Sequence, residues 1–209
     1  AGSAMALSWE DEHVDAILDG FYPGAQGGAA IAEILFGGAN PEGKLPITFY
    51  QTTEELPEFT DYAMKGRTYR YMENEALYPF GYGLSYTTYA YGNLECVKPF
   101  DAQDGITLQV TVTNTGDREG TETLQVYVKA KREGTPNPQL KYVKKITLKP
   151  GESVTEEIHL SPEAFMLYDE KGNFTLEKGA YDIFVGGCQP DARSAALTGN
   201  APQKLTVTY

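Results

Sequence analysis

The sequence predicts an α+β chain in which an incomplete α/β segment precedes an all-β sandwich. Near the N-terminus, apolar residues recur at helical spacing, and beyond about residue 91 they recur at every second position. The stretch between these regions is rich in tyrosine, proline, glycine and acidic residues and has no steady period. We therefore predict an α/β segment over 1–50, an aromatic-rich connector over 51–90 and a sandwich over 91–209.

The first segment predicts two helices and a short strand. Ser8 is the expected N-cap of a helix over 9–20, whose apolar face would carry Val14, Ile17, Leu18 and Phe21. A turn rich in glycine and proline leads to a second helix over 25–36, and a strand is expected over 44–50. Two helices and one strand cannot close a covered sheet, so this segment resembles the C-terminal part of a larger α/β domain.

The pattern beyond residue 91 predicts antiparallel strands with one buried face. Alternating apolar residues mark strands near 106–113 and 124–128, and further strands are expected over 141–148, 153–160, 180–186 and 203–209. About seven short strands separated by turn clusters are typical of an immunoglobulin-like or fibronectin type III-like sandwich. We expect Phe165, Leu167 and Tyr168 to fill one end of that sandwich.

Composition excludes several classes of partner. The 209 residues carry a formal net charge of −12, and no long basic run is present, so nucleic acid and anionic membranes are not expected as partners. No apolar stretch is long enough to cross a bilayer and no leader peptide is evident, which leaves the compartment unknown. Neutral ligands remain compatible with this charge.

The reactive side chains predict no metal site, cofactor or redox centre. Cys96 and Cys188 lack metal-type spacing with each other or with the two histidines, and we expect two half-buried thiols, with a single disulfide as the alternative. The acidic run "WEDEHVD" over 9–15 falls in the first turns of a helix, where carboxylates favour the helix dipole and stay solvated. The glycine-rich turn over 22–31 lacks the spacing of a phosphate-binding loop and predicts close packing instead.

The connector holds the weak candidates for a binding site. Arg67, Tyr69 and Arg70 in "GRTYRYM" could form a sugar subsite, but a loop pinned by cation–π contacts and ion pairs is the favoured interpretation. The stretch "YPFGYGLSYTTY" (78–89) is either an aromatic platform or a packed seam between two domains, and the seam is favoured. Tyr82 is the ring in it that could reach an active site. In the sandwich, Tyr127 and Tyr142 are too isolated to form a platform.

Five ordered motifs resemble the C-terminal half of glycoside hydrolase family 3. They cover nearly the whole chain and comprise residues 16–49, "GRTYRYM" (66–72), "LYPFGYGLSYTTY" (77–89), "VTVTNTGDREGTETLQVYV" (110–128) and "LKPGESVTEEIHL" (148–160). The resemblance implies that complete relatives carry a TIM-like barrel, an α/β sandwich domain and a fibronectin type III-like domain. This chain would then hold the end of the second domain and all of the third.

The resemblance also implies an activity that this chain would not perform alone. Family members of the β-glucosidase and β-xylosidase kind cleave terminal β-linked glucose or xylose with a nucleophile and an acid/base. Both lie upstream of the matched stretch, so no catalytic residue is expected here and the isolated chain should be inactive. The implied partners are the remainder of the polypeptide and a β-glycoside substrate. The alternative is a non-catalytic carbohydrate-binding or structural module of a split system.

Overall fold

The computed structural model describes residues 1–209. Its helices are α1 (Ser8–His13), α2 (Gly27–Leu35), α3 (Thr68–Tyr71) and α4 (Ala192–Thr198), with 3₁₀ turns at Thr53–Glu55 and Pro162–Phe165. The strands are β1 (Tyr89–Asp101), β2 (Gly105–Asn114), β3 (Gly120–Ala130), β4 (Gln139–Leu148), β5 (Ser153–Leu160), β6 (Leu167–Tyr168), β7 (Phe174–Thr175), β8 (Ala180–Gly186) and β9 (Gln203–Thr208). None of the helices combines the length and apolar character needed to cross a bilayer.

Two antiparallel sheets form the sandwich. One has the strand order β1-β2-β5 and the other β4-β3-β8-β9, while β6 and β7 pair in a small separate hairpin. The β2–β5 ladder runs without interruption from Ile106 opposite Leu160 to Thr113 opposite Ser153. All six strands predicted by alternation are present, and together with the helical N-terminal segment they confirm the predicted fold class.

The core lies between the sheets and consists of 17 buried residues from the strands and the turn before β6. In β2 the burial follows the predicted period of two, because its apolar side chains are buried and the intervening threonines are only half-buried. Phe165 closes one end of the core, with its ring edge-on to Phe100 and Tyr181. Tyr168, which we expected beside it, is instead exposed on the small hairpin and packs against Phe174.

The N-terminal helices are shorter than the sequence predicts. The first ends at His13, because Val14 adopts an extended backbone, and none of its residues is buried. Short helices depend on tertiary packing of an apolar face, and Ile17 and Leu18 remain about two-fifths exposed. Ser8 is not the N-cap: its hydroxyl donates to the Gln51 carbonyl at 2.6 Å.

Three further expectations are corrected. Residues 44–50 form no regular strand, and only an isolated bridge pairs Phe49 with Tyr78. The helix α4 between β8 and β9 was not predicted, although Asp191 caps it by accepting from the Ser194 backbone N–H at 2.6 Å. Cys96 and Cys188 are free thiols, one exposed and one buried, so the disulfide alternative is wrong.

Candidate functional site

Aromatic rings of the connector pack directly on the outer face of β3. Tyr69 and Phe80 stack with ring centroids 4.2 Å apart, and both present an edge-to-face contact to Tyr127 at 6.3 and 6.5 Å. We call these three residues, with Tyr78 and Tyr82, the aromatic joint. Because large rings bury much area with few rotatable bonds, they fix the connector to the sandwich at low entropic cost.

The second half of the joint links the connector to both flanking regions. Tyr78 and Tyr82 stack with centroids 5.7 Å apart, and the Tyr78 hydroxyl donates to the Asp11 carboxylate at 2.5 Å. Arg193 of α4 lies 3.8 Å from the same carboxylate and donates to the Leu77 carbonyl at 3.2 Å. Residues from α1, the connector and α4 therefore meet at one place, as the packed-seam interpretation of the stretch predicts.

Electrostatics in the joint favour neutral tyrosines. Burial, reinforced by the hydrogen bond to Asp11, raises the pKa of Tyr78. Burial also raises the pKa of Tyr82, although the nearby Arg193 charge partly opposes that shift. Since both hydroxyls stay protonated at neutral pH, they can donate hydrogen bonds but cannot act as bases there.

A second observation concerns the buried polar face of β3. Its polar side chains were expected to face solvent, yet Gln125 and Tyr127 are almost completely buried beneath the connector. The Gln125 amide donates to the carbonyls of Gly81 and Gly187, and its oxygen accepts from the Tyr127 hydroxyl at 2.6 Å. Every hydrogen-bonding group of this amide-hydroxyl pair is therefore used to hold the joint.

The structure places the four candidate binding residues in different environments. The Arg67 guanidinium donates to the backbone carbonyls of Glu58, Asp61 and Ala63, so it organises its own loop. Tyr69 is buried, and its hydroxyl accepts from the Leu140 N–H at 3.2 Å. No hydrogen bond joins any two of the four candidates.

Two of the candidates keep groups that a ligand could use. Arg70 is exposed, and its guanidinium carbon lies 5.9 Å from the centre of the Tyr69 ring. Tyr82 is half-buried, with one face of its ring against Tyr78. Their role in substrate binding stays a prediction.

The acidic N-terminal run has a structural use that sequence analysis missed. Asp11 is exposed like Glu12 and Asp15, but it is not simply solvated, because its carboxylate accepts from Tyr78 and faces Arg193. The His13 ring stacks on Trp9 at 4.5 Å and contacts the Trp9 carbonyl through Nδ1 at 2.7 Å. No group of three or more metal-ligating side chains is arranged to hold an ion.

The N-terminal segment presents a wide apolar surface. Its exposed large side chains are Met5, Trp9, Val14, Ile17, Leu18, Tyr22, Leu35 and Phe36. Exposed apolar side chains in such number in one segment are typical of a protein interaction site. The surface is distinct from the outer face of the β1-β2-β5 sheet, which carries threonine, serine and charged side chains.

Comparison with known proteins matches both regions of the chain. Residues 1–86 match the model of the glycosyl hydrolase family 3 C-terminal domain, and residues 122–189 match that of the fibronectin type III-like domain. Among solved structures, a β-glucosidase from Listeria innocua superposes with a TM-score of 0.80 and 29% identity, covering 98% of this chain and 29% of its own. A β-glucosidase from Erythrobacter marinus gives a TM-score of 0.76 at 36% identity, covering 95% of this chain and 26% of its own.

Curated relatives give the same assignment. A xylan 1,4-beta-xylosidase from Xylanibacter ruminicola is 42% identical over 202 residues, which cover 95% of this chain and 23% of the relative. A periplasmic beta-glucosidase from Salmonella typhimurium is 40% identical, with 88% of this chain and 26% of the relative covered. The chain thus spans about a quarter of the length of the relatives it matches. It belongs to glycoside hydrolase family 3 and corresponds to the C-terminal part of that family, the end of the α/β sandwich domain followed by the fibronectin type III-like domain.

Proposed function

We propose that the complete polypeptide is a retaining glycoside hydrolase that cleaves terminal β-linked glucose or xylose from oligosaccharides or glycosides. The observation that carries this proposal is the similarity of nearly the whole chain to both a beta-xylosidase and a beta-glucosidase, at 42% and 40% identity. Retaining hydrolysis needs a nucleophilic carboxylate and a second carboxyl group as acid/base. In our proposal both belong to the remainder of the polypeptide, and this chain contributes neither.

The role of this chain is to pack and position domains. We propose the division predicted from the sequence, with the α/β segment over 1–50, the connector over 51–90 and the sandwich over 91–209. The exposed apolar surface around Trp9 and Ile17 supports docking of the segment onto the remainder of its domain. The aromatic joint then transmits that position to the sandwich through Tyr127 and Gln125.

The central test compares the isolated chain with the full-length polypeptide on aryl β-glucosides and β-xylosides. We expect p-nitrophenol release by the full-length protein and none above background by the isolated chain at the same molar concentration. Turnover by the isolated chain that persists through rigorous purification would contradict the assignment of both carboxylates to the remainder. An inactive full-length protein on both substrates would contradict the proposed reaction.

A carbohydrate-binding or structural module of a split system is the second candidate. The exposed aromatic rings, among them Phe59 and Tyr62 in the connector, are the observation that favours it. Calorimetric titration of the chain with cello-oligosaccharides and soluble glucans separates the two functions. Saturable binding by the isolated chain would favour the module, whereas no heat of binding is expected if the chain serves domain packing.

A further inference from the structure

Residues 80–83 are held by a hydrogen bond to each of four consecutive backbone carbonyls. The sandwich supplies two of the donors. The Gln189 backbone N–H donates to the Phe80 carbonyl at 3.3 Å, and the Gln125 side-chain amide donates to the Gly81 carbonyl at 3.0 Å. This half of the connector backbone is therefore fixed to the β-domain.

The N-terminal segment supplies the other two donors. The Leu45 backbone N–H donates to the Tyr82 carbonyl at 2.8 Å, and the Lys44 ammonium donates to the Gly83 carbonyl at 2.7 Å. The backbones approach closely here, because a Cβ added to Gly83 would lie 2.2 Å from the Gly43 carbonyl oxygen. Tyr82 is thus placed by a backbone whose hydrogen bonds come from both sides of the joint.

Lys44 is the only charged donor of the four, and its partner charge comes from the sandwich. The carboxylate of Glu122, in β3, lies 3.7 Å from the Lys44 ammonium and is 4% exposed. Its other oxygen accepts from the Tyr91 hydroxyl at 2.8 Å. A buried carboxylate with its partner removed is strongly destabilised, so the two charges require each other.

Backbone and a cleft lie on opposite sides of the pair. A Cβ added to Gly187 would lie 2.3 Å from the Glu122 carboxylate, so backbone closes one side of the pair. On the other side is a cleft whose lining includes Lys44, Tyr89 and Cys188. The pair therefore joins the two parts of the molecule at the edge of this cleft, with its charged atoms 3.7 Å apart.

We propose that Lys44 and Glu122 are a positioning pair that acts on the glycoside substrate through Tyr82. By holding the Gly83 carbonyl, they fix the backbone that directs the half-buried Tyr82 ring, and that ring stacks on a neutral sugar ring of the substrate. Neither residue of the pair touches the substrate. The inference rests on the proposed function, and it assigns Tyr82 to substrate binding rather than to bond cleavage.

The test uses the full-length enzyme and a double-mutant cycle. Glu122→Gln and Lys44→Met should each raise KM about tenfold, the effect of losing one charge-assisted contact, with kcat changed by no more than about twofold. Tyr82→Ala should raise KM by a similar factor. The double variant Glu122→Gln/Tyr82→Ala should have the KM of Tyr82→Ala alone, because the pair has nothing left to position.

The control is a glutamate–lysine pair remote from the joint. Glu156 of β5 lies 2.5 Å from Lys144 of β4 and is 12% exposed, so Glu156→Gln removes a comparable charge without touching residues 80–83. We expect it to leave KM unchanged and, when combined with Tyr82→Ala, to leave that variant's KM unchanged as well. Melting temperatures should add in both double variants, which separates positioning from general stability.

Several outcomes would overturn the inference. It is wrong if Glu122→Gln and Tyr82→Ala multiply in KM, if a folded Glu122→Gln enzyme keeps the wild-type KM, or if Tyr82→Ala has no effect on KM. Should either single variant fail to fold, the double variant Lys44→Met/Glu122→Gln decides the same question, because it removes both charges and leaves neither buried without a partner. A wild-type enzyme that hydrolyses no aryl β-glycoside contradicts the proposed function. If the wild-type enzyme is active, the KM results above contradict the positioning pair alone.

Discussion

The strands β2 and β3 have the same alternation of apolar and polar residues but lie in different surroundings. The apolar side chains of both face the sandwich core and are buried. The polar side chains of β2 face outward and stay half-exposed, whereas nearly every residue of β3 is buried on both faces. The difference arises because the connector lies across β3 and nothing in the chain covers β2.

This difference shows that a polar face can belong to the interior when a neighbour supplies hydrogen bonds. On β2 the outward threonines pair with neighbours on β5, as in the contact of 2.7 Å between Thr113 and Ser153. On β3 the outward positions include Gln125 and Tyr127, which bond to each other, and the Gln125 amide also donates to the Gly81 carbonyl of the connector. Burying such groups without partners would cost several kcal/mol each, on the order of 2–7.

Among tests of the difference between β2 and β3, we expect the largest change in unfolding free energy at Tyr127. We expect Tyr127→Ala to lower the free energy of unfolding by about 3–5 kcal/mol, because it removes a fully buried ring beneath Tyr69 and Phe80. The matched change on β2, Gln109→Ala, should stay within about 0.5 kcal/mol. Urea unfolding followed by circular dichroism measures both, and equal losses would contradict the burial of the polar face of β3.

A backbone change at the joint should have the next largest effect. Gly81 has φ of +78° and a Cβ there would lie 2.3 Å from the Gln125 side-chain oxygen, so Gly81→Ala adds a clash to conformational strain. Gly151 has a similar φ of +74° with open space around it. We expect a loss of about 1 kcal/mol for Gly151→Ala and at least twice that for Gly81→Ala in the same unfolding assay. If Gly81→Ala and Gly151→Ala lower the unfolding free energy equally, the joint rearranges to accommodate the added methyl group without cost.

The smallest expected effects are in the pH dependence of stability, where two carboxylates on the same sheet should differ in sign. Burial raises the pKa of Glu122, which the Lys44 charge only partly offsets. The folding stability that Glu122 contributes is therefore fully present below the ordinary pKa of 4.5. It is lost as the pH rises through the raised pKa. Glu122→Gln should remove this decline in stability above pH 4.5.

Asp182 should behave in the opposite way. Although burial opposes its ionisation, hydrogen bonds from Lys204 and Thr206 hold the pKa of Asp182 below its ordinary value of 3.8. The folding stability that Asp182 contributes is present above the ordinary pKa of 3.8 and is lost as the pH falls through the lowered pKa. We expect the difference in unfolding free energy from wild type to change with pH at the acidic end of the range from pH 3 to 7 for Asp182→Asn, and above pH 4.5 for Glu122→Gln. If these two differences change with pH in the same direction, the assignment is wrong.

Alternation and turn chemistry were sufficient to predict the strands from β2 to β9, apart from the short pair β6 and β7. Helical spacing was a weaker guide, because the helix expected over 9–20 ends at His13 where its apolar side chains find no surface to pack on. The helix α4 was missed since its seven residues carry no strong apolar period, although Asp191 and Gly199 at its ends are typical caps.

The candidate site was predicted less well than the fold. Sequence analysis selected Arg67 and Tyr69 for their chemistry, but the structure uses the first to hold its own loop and buries the second. Lys44 and Glu122 had no distinguishing local signal, because one precedes a proline-interrupted stretch and the other is one polar residue in an alternating strand. Their relation spans 78 positions in sequence, and only the folded chain brings them together.

The sequence by itself determined the class of the two parts, six of the sandwich strands and the family to which the chain belongs. Those properties depend on local periodicity, turn residues and ordered motifs, all of which are visible within short stretches. The tertiary structure alone decided which polar face is buried, which tyrosines stack, and which charges pair across the joint. These depend on contacts between residues far apart in sequence, where the burial of one group is set by the neighbour that covers it.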